Sequence, residues 1–292
     1  MNRLLFILFL IPMASFGMDK EVTLKAKIRQ LVQLRQATIN APNDEKRLAA
    51  DQEFVKFLKD ALSDPGSFKQ GFDTIPQLAD LRSGDNFFRM INWNLPLDDQ
   101  THRYRCFIQF YDNKAKAYVV IELKQGYREV EGEARKVFTE RDWYGALYYK
   151  IIPSKTRKTG TKHTYMLLGW DGHDEFSSIK LVDVLTITNK NVRFGADIFS
   201  AQEKNIRRFI LEYKSDASVS LRYDETKKRI IFNQLVPMEP DLEGMYEFYI
   251  PVMQFDALEW KKRKWVYVEN IDARMKEMDK EYNYPPLPQK LK

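Results

Sequence analysis

The sequence predicts a mainly β protein, α+β overall: an N-terminal two-helix hairpin, then a large antiparallel β-meander of about a dozen strands, sandwich-like or curved. Three observations carry this expectation. Apolar residues recur every three to four positions before about residue 64 and alternate after about residue 87. The alternating segments are joined by short polar turns such as "DNKAK", "TNKN" and "DETKK", too short for a parallel crossover. Several segments are apolar on both faces, which a sheet washed by solvent on one side does not tolerate, so sheets must pack on one another or helices must cover them. Turn-plus-strand units such as "SGDNFFRMINW" also fit an irregular β-propeller-like arrangement, the alternative.

The chain of 292 residues opens with "MNRLLFILFLIPMASFG". Arg3 is the only charge before Asp19, an apolar run extends from Leu4 to Ala14, and Ser15 and Gly17 are small. This is the three-part pattern of a secretory signal peptide over residues 1–17 with cleavage after Gly17; the run is too short to span a bilayer comfortably. Residues 18–66 form the helical hairpin. Leu24, Ile28, Leu31 and Val32 share one helix face, and "APND" breaks it. Asn43 or Asp44 can cap the second helix, which carries Val55, Leu58 and Leu62 on one stripe and stops at "SDPG".

Residues 67–275 make the antiparallel β domain. "FFRMINWNL", "RYRCFIQFY" and "AYVVIEL" open it. "WYGALYYKII" places Trp143, Leu147, Tyr149 and Ile151 on one face and Tyr144, Ala146, Tyr148 and Ile152 on the other. "TYMLLGW", "IKLVDVLTIT", "IRRFILEYK", "ASVSLRY", "KRIIFNQLV", "YEFYIPVM" and "KWVYVEN" follow. Residues 276–292 read as a Pro-rich basic tail. At 44% apolar and 13% aromatic the chain can build a sizeable core. The single Cys106 forms no internal disulfide and sits in an apolar strand, as a buried thiol does.

The segments "FRMINWNLPLDDQTHRYRCFIQ", "DWYGALYYKI", "YMLLGWDGHD" with "KLVDVLTI", and "SLRYDE" with "RIIFNQLVP" resemble an uncharacterised family of exported Bacteroidota-type proteins. The resemblance implies export and an intact fold. It implies no activity and supplies no catalytic residues.

"GWDGHDEF" concentrates the candidate chemistry: Trp170, Asp171, His173, Asp174 and Glu175 are the ligand-loop candidates. Counted from Asp171, a calcium loop fails at the third, sixth and twelfth positions, and zinc would need His102, His163 and His173 to converge in space. The simpler expectation is an Asp-Gly turn between two strands. Paired carboxylates for glycan hydrolysis would come from Asp171, Asp174, Asp183, Glu212 or Glu122. No nucleophile elbow, metalloprotease helix or Gly-rich phosphate loop is present, and no cofactor or metal is expected.

Net charge is +6, and no recognition-helix pattern points to nucleic acid. Two basic stretches stand out: "SKTRKTGTKH" at 154–163, and Lys261, Lys262, Arg263 and Lys264 between Trp260 and Trp265, which could touch an anionic surface or simply form a charged hairpin turn. The expected role is therefore a non-enzymatic, binding or structural protein of the cell envelope, periplasmic or else extracellular. Its partners would be an anionic envelope surface, a glycan or another envelope protein, with no transmembrane segment in the mature chain. A periplasmic hydrolase with paired carboxylates and a metal- or small-ligand-binding module are the alternatives.

Overall fold

The computed structural model describes residues 16–126, 132–154, 162–200 and 205–273. Two helices lead, α1 (Phe16–Ile39) and α2 (Asp44–Ser63). The expected cleavage point falls at the start of α1, and the residues before Phe16 lie outside the described ones. Asn43 caps α2: its side-chain oxygen accepts from the Lys46 amide at 3.0 Å, with Asp44 and Glu45 in the first turn where the helix dipole favours acids. Asp64 ends the helix and receives the Gly66 amide, opening a 3-10 turn at Pro65–Phe68.

The first sheet is a meander of β1 (Ala79–Arg82), β2 (Phe88–Pro96), β3 (His102–Asp112) and β4 (Ala117–Leu123), in that order and antiparallel throughout. The second holds β5 (Phe138–Thr139), β6 (Leu147–Pro153), β7 (Lys162–Asp171), β8 (Ser177–Thr188) and β9 (Asn191–Phe194), ordered β5-β9-β8-β7-β6. β10 (Phe199–Ser200) leaves for the third sheet, and β11 (Phe209–Lys214) returns to pair with β8. The third sheet adds β12 (Leu221–Asp224), β13 (Arg229–Pro237), β14 (Tyr249–Lys261) and β15 (Lys264–Val268), ordered β10-β15-β14-β13-β12. Short connections make nearly every pair antiparallel. The two-residue β10–β15 pair is parallel, joining segments far apart in sequence.

Side-chain alternation stacks these elements into four layers. Ile91, Trp93 and Leu95 of β2 and Phe107 of β3 face Leu31, Phe54, Leu58 and Leu62 of the helices. Their neighbours Phe88, Met90, Cys106 and Ile108 face the second sheet, against Leu167, Leu181 and Leu185. The opposite face of that sheet, with Met166, Leu168, Val182 and Val184, packs on Ile230, Phe232, Leu258 and Trp265 of the third. The central sheet is thus buried on both faces, which explains its two-sided apolarity. The sheets lie face on face as in a sandwich, not as blades around an axis.

Buried polar side chains pin the layers. Arg35 of α1 donates to the Pro76, Gln77 and Asn94 carbonyls, and burial lowers its pKa to about 10. Asp51 of α2 accepts from the Trp93 indole and from Arg105, both at 2.8 Å. Arg89 grips Asp80 with two hydrogen bonds, 2.6 and 2.7 Å, and lies 4.2 Å from the Phe72 ring centre.

The expected faces of "WYGALYYKII" need one correction. Gly145 takes φ +81°, the strand begins only at Leu147, and the register shifts between Tyr148 and Lys150. Trp143, Tyr144, Ala146 and Tyr148 therefore all enter the core between the first and second sheets instead of alternating across the strand.

Candidate functional site

The "GWDGHDEF" segment is the β7–β8 connection. Asp171, the last residue of β7, is 1% exposed. Tyr104 donates its hydroxyl to Asp171 Oδ1 at 2.9 Å, Tyr144 donates to Oδ2 at 3.3 Å, and the His173 amide donates to Oδ1 at 3.1 Å. The Gly172 amide in turn donates to the Tyr104 hydroxyl at 2.7 Å. A side chain at Gly172 would reach 2.3 Å from the His102 ring, so glycine is required for this close approach. Asp174 folds the turn by accepting from the Phe176 and Ser177 amides at 2.8 and 2.9 Å. Glu175 accepts from Gln100 at 3.3 Å, and Trp170 is half-buried, edge-on to His102. The five loop candidates do come together, but the central carboxylate is enclosed and satisfied.

Removing that carboxylate orphans two phenols. We expect Asp171→Ala to cost about 1–3 kcal/mol, read by chemical denaturation. Glu175→Ala at the exposed end should stay within about 0.5 kcal/mol.

His102 and His173 share an open cleft with Asp171; His163 lies elsewhere, stacked on Phe87 at 3.7 Å. Among the described residues no three His, Cys, Asp or Glu side chains are grouped to hold a metal ion. Burial lowers the pKa of His102, partly opposed by Asp171, and the Asn94 amide lies 3.0 Å from His102 Nδ1, as suits a neutral ring accepting there. A histidine with a depressed folded pKa binds its proton more readily when unfolded. Its contribution to stability is therefore present above its ordinary pKa and is lost as pH falls below it. Melting curves taken downward from pH 7 should show this loss, and His102→Gln should flatten it.

The other carboxylates are engaged as well. Asp183 and Arg208 form a fully buried ion pair at 3.2 Å, with the Tyr148 hydroxyl on the second Asp183 oxygen at 3.0 Å. Glu122 pairs with Lys59 at 2.6 Å, and Glu212 accepts from the Ser177 hydroxyl at 2.8 Å. Cys106 is fully buried, which pushes its thiol well above the usual range.

Lys261–Lys264 form the turn between β14 and β15. Lys261 pairs with Glu259 at 2.8 Å and Lys264 with Asp197 at 3.2 Å. Lys262 and Arg263 sit exposed at φ +49° and +67°, two consecutive left-handed residues where a tight hairpin turn favours Asn-Gly. Residues 155–161 of the other basic stretch lie outside the described residues, as does the tail at 276–292.

The most unusual surface was not among the sequence candidates. Beyond Phe232 strand β13 no longer pairs with β12, and before Ala257 strand β14 does not pair with β15. Residues 234–254 continue as a two-stranded arm, with Pro237 opposite Tyr249 and Leu235 opposite Pro251. A register shift after Asn233 swells the β14 side, and Asn233 ties the bulge to the Val252 carbonyl at 3.1 Å. Met253, on that bulge, is 94% exposed. Met238, Met245, Tyr246 and Phe248 are exposed too, so five of the nine large exposed apolar side chains among the described residues belong to this arm. It carries Glu239, Asp241, Glu243 and Glu247 and no Lys, Arg or His, in a chain of net charge +6. None of these acids has an ion-pair partner among the described residues.

Between the arm, β11 and the end of β15 opens a cleft of about 300 Å³. Tyr246, Tyr249 and Tyr267 give it accessible rings over a floor that includes Phe209 and Phe232, and Glu212 and Glu269 give it carboxylates. Such a lining suits a cationic group or a sugar ring.

No family model, curated protein or solved structure matches this chain. No helix among the described residues is long and apolar enough to cross a membrane.

Proposed function

We propose that this chain is an exported protein of the cell envelope, periplasmic in location, with a non-enzymatic binding role, and that it docks another protein through the arm at residues 234–254. The observation that carries the reading is the arm itself: five exposed large apolar side chains on one ribbon that extends past β12 and β15 and packs on β11 and β8 from one side only. Patches of this kind mark interaction surfaces in otherwise well-packed proteins. The arm's four acids favour a protein partner with basic surface over an anionic lipid or polyanionic glycan. The N-terminal pattern of Arg3, the apolar run and the small residues before Met18 supports export. The engagement of Asp171 and Asp183 inside the fold weighs against a hydrolase built on either.

A photoreactive residue placed at Met253 in cells tests the docking. Protein adducts well above those from Tyr111, an exposed aromatic residue of β3 in the first sheet, are expected. Adducts no stronger than that control, or adducts to lipid alone, would remove the reading. Export predicts that the cellular protein begins at Met18 by mass spectrometry.

A further inference from the structure

We infer that the arm's partner is a second copy of this chain, whose basic β14–β15 turn it receives, so that copies associate head to tail. This rests on the docking role proposed for the arm. The two surfaces are opposite ends of one strand: β14 leaves the arm at Tyr249 and reaches the turn at Lys261. A strand of 13 residues at about 3.3 Å each spans roughly 40 Å, so arm and turn of one copy cannot meet. Their chemistries are complementary. The arm offers four unpaired acids and exposed Met and aromatic side chains. The turn offers Lys262 and Arg263, which have no ion-pair partner among the described residues, and is flanked by the half-buried Trp260, whose ring meets Trp265 edge-on. Methionine sulfur against indole and carboxylates against cations are both favourable pairings.

The two-residue turn requires left-handed backbone, but not these two residues. Lys262 and Arg263 are held in consecutive left-handed conformations that Asn-Gly would adopt with less strain. Strain kept at an exposed point is a reason to look for a role beyond folding. A contact that uses two different surfaces of the same chain is heterologous, so it extends into open chains or rings instead of closing as a two-fold dimer.

Sedimentation of the purified mature chain over a concentration series tests this. Wild type should grow past the dimer mass with concentration and shrink at high salt, because exposed charge pairs are screened. Lys262→Asn with Arg263→Gly relieves the turn, so it should fold at least as well as wild type yet associate at least tenfold more weakly. A second variant, with Glu239→Gln, Asp241→Asn, Glu243→Gln and Glu247→Gln, should also stay monomeric alone. Mixed, the two retain one good turn and one good arm, and should form a one-to-one dimer that grows no further. A wild type monomeric at every concentration, turn variants that associate as wild type does, or a mixture that stays monomeric would each overturn the inference. Adducts from Met253 to a different protein, with wild type monomeric, would overturn self-association and leave the docking role of the arm standing.

Discussion

Asp183→Ala should destabilise the protein by about 3–5 kcal/mol, because it leaves a buried arginine without its counter-ion. Arg208 and Asp183 are both fully buried where β8 and the segment before β11 meet. The Arg208 guanidinium also donates to the Glu133 carbonyl at 2.7 Å and lies 4.6 Å from the Phe138 ring centre. Asp183 further accepts from Tyr148 and from the Val184 amide, so its loss strands a phenol in the core as well. Burial, then the Asp183 charge, pushes the Tyr148 phenol well above its usual range, and the hydroxyl remains a donor throughout the working pH range. Melting of the variant should begin about 10 °C or more lower. Asp183→Leu combined with Arg208→Met removes both charges and should recover most of the loss, since an apolar pair of similar volume avoids the desolvation cost. If the double variant is no better than the single one, the pair does more than balance charge.

Trp93→Ala is expected to cost a similar amount, about 3–5 kcal/mol. Trp93 is fully buried between the helical hairpin and the first sheet, with Phe54 edge-on at 5.0 Å and Phe107 at 6.0 Å. Its indole N–H is one of two side-chain donors to the buried Asp51, the other being the partly exposed Arg105. Truncation opens a cavity and leaves Asp51 half-satisfied. Trp93→Phe keeps most of the ring and removes the N–H, so it should lose about 1–3 kcal/mol. The difference between the two variants separates packing from the hydrogen bond that ties α2 to β2.

Much of the architecture was legible in the sequence because it follows from local periodicity. Leu24, Ile28 and Leu31 turned inward as their spacing required, Asn43 caps α2, and the alternation of "FFRMINWNL" divided β2 between two cores. The Asp-Gly turn at Asp171 and Gly172 was also readable. Its chemistry was not. Spacing says nothing of Tyr104 or Tyr144, which lie far away in the chain and enclose the carboxylate only when the sheets stack. "WYGALYYKII" misled for a related reason: the left-handed Gly145 and the shift at Tyr148 break a period that the letters alone preserve. The arm was hidden because "LVP" and "YEFYIPVM" look like ordinary strands. Whether a neighbouring strand covers them depends on β12 and β15 stopping short, a property of register. Pro237, Pro251 and the run of acids without a base were the available clues.

Hydrogen exchange of the monomeric protein tests the central claim, that residues 234–254 form a ribbon open to solvent on its outer side beside a closely packed body. A two-stranded ribbon covered on one side only is less secure than a strand buried on both faces, so the amides around Val236 and Ile250 should exchange orders of magnitude faster than those of Leu181 to Leu185 in the doubly buried β8. They should then slow when the protein is concentrated or bound. Protection in the dilute monomer equal to that of β8 would contradict the account, because the arm would then already be covered and would offer no surface for a partner.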